Sequence, residues 1–121
     1  KTHLDGERTF IELCFNRRPD ADTFSRLLAN AALASWDMQK EIPTMAVFAA
    51  EALSKTRVPL LFIYGSRDAL VDTPTTLARA KALNPRIQSK VYVDAGHAPF
   101  IEEPDRFNHD LAEFVRSASG K

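Results

Sequence analysis

The stretch Val58-Pro59-Leu60-Leu61-Phe62-Ile63-Tyr64-Gly65-Ser66-Arg67-Asp68 decides how this chain folds. Val58 to Tyr64 is almost continuously apolar, the pattern of a strand covered on both faces. Pro59 sits near its start, where a missing N–H is tolerated. Asp72-Thr73-Pro74 is a capping signal with proline at the first helical position. The helix it opens carries Leu77, Ala78, Ala80, Lys81 and Leu83, and Asn84-Pro85 stops it. Lys90 to Asp94 reads as the next strand, with Val91 and Val93 on one face and Tyr92 on the other. Glu103-Pro104-Asp105 then opens a helix whose stripe is Phe107, Leu111, Phe114 and Val115, with a tail fraying at Ser117-Ala118-Ser119-Gly120. Strand, helix, strand, helix is a right-handed βαβ unit plus a covering helix. The fold class is α/β.

Upstream the character differs. Residues 1–19 hold one apolar cluster (Phe10, Ile11, Leu13, Cys14, Phe15) and end in a turn-like break at Arg17-Arg18-Pro19-Asp20. A helix is expected from Asp20, with Phe24, Leu27, Leu28 and Ala31 at helical spacing. A second helical stretch starts near Asp37 and breaks at Pro43. It resumes after Thr44 through Met45, Val47, Phe48 and Leu53. A two-stranded parallel sheet buried on both faces needs neighbours. The sequence therefore asks for more sheet than it contains, and we expect it to be part of a larger fold or to associate with another chain.

Composition removes several function classes. With 121 residues the chain holds one domain at most. Its 45% hydrophobic and 26% charged residues are those of an ordinary globular protein. The formal net charge of zero gives no electrostatic case for nucleic acid or an anionic membrane. No apolar run approaches the roughly 18 residues that a membrane span needs. The histidines His3, His97 and His109 have no cysteine partner at ligand spacing, so no metal site is expected, and no phosphate-binding glycine loop or other cofactor signature is present. One cysteine, Cys14, rules out an internal disulfide framework and reads as a packing thiol. It fits a reducing compartment, and a cytoplasmic location is expected.

Chemistry enters with Asp68 and with Ala95-Gly96-His97, whose histidine lies 29 residues after Asp68. Each follows one of the two strands at its carboxyl end, where open α/β sheets assemble their sites. Alone, Asp68 has an ordinary reading as a turn cap, and a lone histidine is equally unremarked. Together they can share a hydrogen bond. An imidazole held by a carboxylate is the base half of a nucleophilic triad: it takes a proton from a nucleophile and returns it to the leaving group.

The combined pattern resembles the C-terminal portion of an α/β-hydrolase. It runs Val58-Pro59-x-Leu61, Tyr64-Gly65-x-x-Asp68-x-Leu70-Val71, then Asp94-Ala95-Gly96-His97-Ala98-Pro99-Phe100-x-Glu102-x-Pro104-x-x-Phe107. The resemblance is close over residues 58–116. It implies that residues 58–121 are the C-terminal part of the hydrolase core, with its last two parallel strands, and that residues 1–57 are the end of a helical cap. It further implies that Asp68 is the triad acid, His97 the base, and that Glu102 and Pro104 start the final helix in a structural role. Within the family the pattern is similar to small esterases and cofactor-free haloperoxidase-like hydrolases. The run His97-Ala98-Pro99-Phe100 is also similar to pimeloyl-acyl-carrier-protein methyl ester esterases. Leu70, Val71 and Phe100, beside the triad residues, are candidate pocket walls for a small-molecule ester. Trp36, Met38, Met45 and Phe48 either pack cap helices onto the body or line an apolar acyl pocket. Trp36 and Phe48 are candidate substrate contacts.

The family's nucleophile sits in a G-x-S-x-G elbow upstream of the acid. None of the four glycines here, Gly6, Gly65, Gly96 and Gly120, flanks a serine in that pattern. Ser66 lies on the acid loop and reads as a turn residue. The expected partner is thus the N-terminal remainder of the hydrolase, carrying serine and oxyanion hole. Three readings remain open: an ester hydrolase, a haloperoxidase or perhydrolase using the same triad, and a non-catalytic hydrolase-like fragment or interaction module.

Overall fold

A computed structural model of the chain describes residues 2–34, 37 and 49–120. The elements run α1 (His3–Leu13), α2 (Ala21–Ala32), α3 (Ala49–Lys55), β1 (Leu61–Gly65), α4 (Thr73–Leu83), β2 (Gln88–Tyr92), α5 (Pro99–Glu102) and α6 (Pro104–Ser119). β1 and β2 pair in parallel, from Leu61 opposite Gln88 to Gly65 opposite Tyr92. Helix α4 is the crossover between them, capped by the Asp72 side chain with proline in its first turn and ended at Asn84. The α/β class and the βαβ unit expected from the sequence are both present.

Side-chain alternation explains how the sheet is covered. Gln88, Lys90 and Tyr92 face one way, toward α6. The Tyr92 hydroxyl, fully buried, donates to Asp110 Oδ2 at 2.8 Å, and Lys90 Nζ donates to Asp110 Oδ1 at 3.2 Å. Phe62 and Tyr64 face the other way, into a groove walled by Leu53 of α3 and by Ala80 and Leu83 of α4. Buried Asn84 fixes α3 there, its amide donating to Leu53 O and Thr56 O, both at 3.0 Å. A separate core of Ile11, Phe24 and Leu28 joins α1 to α2, with Phe15, Leu27 and Ala31 packed against it.

Several sequence expectations need correction. The second strand runs Gln88–Tyr92, two residues earlier than Lys90 to Asp94, and Val93 is in a turn with 62% exposure. The ladder with β1 ends at the pair Gly65–Tyr92, so Val93 and Asp94 lie beyond it. Val58 to Leu60 precede β1 instead of belonging to it, and Val58 is 65% exposed. Pairing opens only where Gln88 N donates to Leu60 O at 2.9 Å. The final helix stays regular to Ser119 and is preceded by the separate turn α5. Crossover helix α4 starts at Thr73, which makes Pro74 its second residue.

Helix α1 falls within the expected helical cap, but no helix was marked at His3–Leu13 itself. Its N-terminus is a capping box: Thr2 accepts from Asp5 N while Asp5 accepts from Thr2 N. Its apolar residues are no single stripe, since Ile11 is buried while Leu4, Phe10 and Leu13 are exposed, so periodicity does not reveal it. The expected helical residues Trp36, Met38, Met45 and Phe48 lie outside the described residues. Among the described residues, no helix is long and apolar enough to cross a membrane.

Burial works against ionisation of Asp110, but the Tyr92 hydroxyl and the Lys90 ammonium outweigh it and hold the carboxyl below its usual range. A depressed folded-state value stabilises the fold above the ordinary carboxylate range, about 4, and the contribution fades as pH falls through the depressed value. Tyr92→Phe leaves Asp110 Oδ2 without its donor and is expected to cost about 1–3 kcal/mol at neutral pH. Urea unfolding at pH 7 and pH 3 checks this: the gap between variant and parent should narrow on acidification.

Candidate active site

Parallel pairing puts the exits of β1 and β2 at one sheet edge, and backbone bonds then lash the two exit loops together. Ser66 N donates to Tyr92 O at 2.8 Å, and Arg67 N donates to Ala95 O at 3.0 Å. The Ser66 hydroxyl donates to Val93 O at 2.5 Å, so Ser66 is a turn residue engaged with backbone. Thr73, buried at the start of α4, donates its hydroxyl to Gly65 O at 2.9 Å. The approach is close enough to exclude a side chain. A Cβ on Gly65 would lie 2.0 Å from Gly96 O and 2.1 Å from Ala95 O. One on Gly96 would lie 2.6 Å from Asn16 N. Neither glycine has positive φ; space, not backbone conformation, demands them.

This crossing sets Asp68 against His97. Asp68 Oδ2 accepts from His97 Nδ1 at 2.8 Å, and Oδ1 accepts from Leu70 N at 2.8 Å and Val71 N at 3.0 Å. The Asp68 side chain is 3% exposed, that of His97 45%. Desolvation raises the Asp68 carboxyl pKa, but the His97 and backbone hydrogen bonds outweigh it and leave the value below the usual range. An ionised carboxylate only accepts, so the shared proton belongs to Nδ1, and in a neutral imidazole the lone pair is then on Nε2.

His97 is held from the other side as well. Ala98 N donates to Cys14 O at 3.1 Å, and Asn16 Nδ2 donates to Asp94 O at 2.9 Å. Glu102, at the end of α5, accepts from Gly96 N at 2.6 Å, Asn16 N at 3.2 Å and Arg17 N at 2.8 Å. The turn between α1 and α2 is thereby fixed to the histidine loop.

An apolar cavity of about 320 Å³ opens beside the imidazole. Phe10, Phe15 and Leu27 line it from α1, its following turn and α2, while His97, Phe100 and Ile101 line it from the opposite side. Cys14 is in the same wall; burial, then the nearby Asp68 charge, pushes its thiol pKa up, and Sγ donates to Phe10 O at 3.4 Å. Of the expected pocket walls, Phe100 lines this cavity. Leu70 and Val71 serve Asp68 through their backbone N–H groups and are not among the lining residues. Trp36 and Phe48 lie outside the described residues. Phe10, Phe15, Leu27 and Ile101 were not anticipated as pocket residues, because the wall exists only once α1 and α2 pack over the histidine loop. No cluster of metal-ligating side chains occurs among the described residues.

Comparison with known proteins is consistent across sequence and structure. The alpha/beta hydrolase fold family matches residues 9–104. The pimeloyl-[acyl-carrier protein] methyl ester esterase of Vibrio vulnificus is 31% identical over 98 residues, covering 81% of this chain and 34% of that protein. An uncharacterized carboxylesterase of Bacillus subtilis is 32% identical over 74 residues, 61% of this chain and 25% of its own length. The crystal structure of a candidate aryl esterase from Burkholderia cenocepacia superposes with a TM-score of 0.95 at 64% identity, covering 98% of this chain and 44% of that one. The chain thus spans less than half the length of each of these proteins.

Gly65→Ala would drive a methyl group into two backbone carbonyl oxygens that have no side-chain freedom to yield. Destabilisation of about 3 kcal/mol or more is expected, with loss of the Asp68–His97 contact. Denaturant midpoints and the His97 ring resonances in NMR spectra check it; an unshifted midpoint would refute the close crossing.

Proposed function

The chain belongs to the alpha/beta hydrolase fold family, and from that premise we propose that it is the C-terminal portion of a serine hydrolase acting on carboxylic esters. The observation that carries this is the 2.8 Å bond between Asp68 Oδ2 and His97 Nδ1 beside an apolar cavity. Similarity to esterases, including 64% identity to the candidate aryl esterase, supports the ester as substrate class. The nucleophilic serine and the oxyanion donors come from the remainder of the protein, outside these 121 residues. Residues 1–57 are the end of the cap, in keeping with α1 and α2 walling the cavity opposite His97, and residues 58–121 are core.

In this reading His97 Nε2 takes the serine proton as the hydroxyl oxygen bonds to the ester carbonyl carbon. The same proton passes to the departing alkoxide when the tetrahedral adduct collapses to acyl-enzyme and alcohol. Water then repeats the sequence and releases the acid. Asp68 stays ionised throughout, fixing the tautomer and stabilising the imidazolium without taking the proton. The cavity beside His97 carries an apolar acyl or alcohol group of the ester, against Phe10, Phe15 and Phe100.

In the complete protein, His97→Ala should abolish hydrolysis of p-nitrophenyl butyrate with the fold retained, and Asp68→Asn should lower kcat by roughly 10³–10⁴-fold. Undiminished turnover by folded His97→Ala protein would sink the assignment. Because the Asp68 pKa is lowered, this carboxylate is ionised at every pH above about 4. Titration of Asp68 should therefore leave no mark on the kcat/KM profile above about pH 4. Phe100→Ala should lower kcat/KM for the butyrate ester about tenfold, with a smaller loss for the acetate; steady-state kinetics on both esters decide this.

A further inference from the structure

Among the described residues around His97, Asp68, Cys14 and Glu102 carry part-buried titratable side chains, and of these three side chains only that of Glu102 bonds to the turn between α1 and α2. Asp68 belongs to the base itself, and Cys14 is a packed thiol bonded to its own helix. Glu102 is different. Its Oε1 accepts from Gly96 N, the residue before His97, and from Asn16 N, while Oε2 accepts from Arg17 N. Its backbone oxygen also accepts from Arg17 Nη2 at 3.4 Å. A role limited to starting the last helix explains none of these bonds: the N-cap of α6 is Glu103, and no side-chain cap bond is made there.

We propose that Glu102 is the positioning residue of His97, and that through it the turn between α1 and α2 sets the place of the imidazole. The catalytic consequence rests on the ester-hydrolase reading given above. The physical basis is that two carboxylate oxygens receive three N–H donors, and all three are backbone groups that cannot swing away. With Gly96 N held at 2.6 Å, the histidine backbone has little room to shift relative to Asp68. The same carboxylate holds the α1–α2 turn, so displacement of these helices is transmitted to the base. Glutamine keeps the size of the side chain but not its chemistry. In either amide orientation, an NH₂ group would oppose at least one backbone donor.

The test uses the complete protein with p-nitrophenyl butyrate, comparing Glu102→Gln, Glu102→Asp and, as a surface control, Glu113→Gln, each assayed well below its melting temperature. Glu102→Gln should lower kcat about 10–100-fold, the scale of a sub-ångström to 1 Å misplacement of a reacting group, while KM stays within threefold. Glu102→Asp, which keeps the charge and both acceptors, should recover part of that loss, and Glu113→Gln should match the parent. In parallel, the downfield proton resonance of His97 Nδ1, assigned through its absence in His97→Gln, should broaden or vanish in Glu102→Gln. A folded Glu102→Gln protein with kcat within twofold of the parent and an intact Nδ1 resonance overturns the proposal; so does a loss confined to KM. If the parent protein hydrolyses no ester, the function reading fails separately, and the Nδ1 resonance alone decides the positioning role. Should Glu102→Gln not fold, Glu102→Asp is read by the same two measurements.

Discussion

The contact on which the rest depends is a backbone crossing with no room for a methyl group. Gly65 leaves β1 directly against the carbonyl oxygens of Ala95 and Gly96, and every feature of the site follows from that approach. It lets Ser66 and Arg67 bond to the exit of β2, brings Asp68 within reach of His97, and leaves the His97 loop free to receive Cys14–Arg17 on its far side. Any residue other than glycine would push the two loops apart, and a pair of side chains matched at 2.8 Å would lose its hydrogen bond well before the sheet came apart.

Around this crossing the polar groups are sharply segregated. Asp68 is nearly inaccessible and fully supplied with donors, whereas the imidazole it holds is almost half exposed on an apolar wall. A charge that is buried and satisfied cannot be drawn into other partnerships, while the imidazole remains accessible. On the face of the sheet covered by α6, the Tyr92–Asp110–Lys90 group does comparable work in fastening that helix, using burial where the site uses access. This cluster draws Lys90 and Tyr92 from β2, and the site draws His97 from the loop leaving it.

Much of this was legible in the sequence where the signal is local. The apolar run ending at Tyr64, the cap at Asp72 and the stop at Asn84 mark β1 and α4 to within a few residues, since each depends on neighbours in sequence. Asp68 and His97 stand out because both follow strands of one βαβ unit. Less was legible where the cause is distant. The end of β2 is set by how far β1 extends, which Val93 cannot report. The cavity wall needs Phe10 and Leu27 to meet Ile101, and helix α1, with an interrupted stripe, has its clearest mark in a capping box centred on aspartate. Glu102 was visible as a family position, yet its three backbone donors lie on residues scattered from 16 to 96.

That scatter has a bearing on the order in which the molecule assembles. The α1–α2 pair and the β1–α4–β2 unit each close over short sequence distances, and such contacts form early at little entropic cost. The Glu102 bonds to Asn16 and Arg17 instead bridge 86 and 85 residues. Docking of the two units onto one another is therefore the late step, governed by these long closures. During synthesis from the amino end, the segment Cys14–Arg17 emerges long before the carboxylate that will hold it. The histidine loop reaches its final shape only after nearly the whole of this chain is available, so its amide protons should be the last in the crossing to gain protection from solvent.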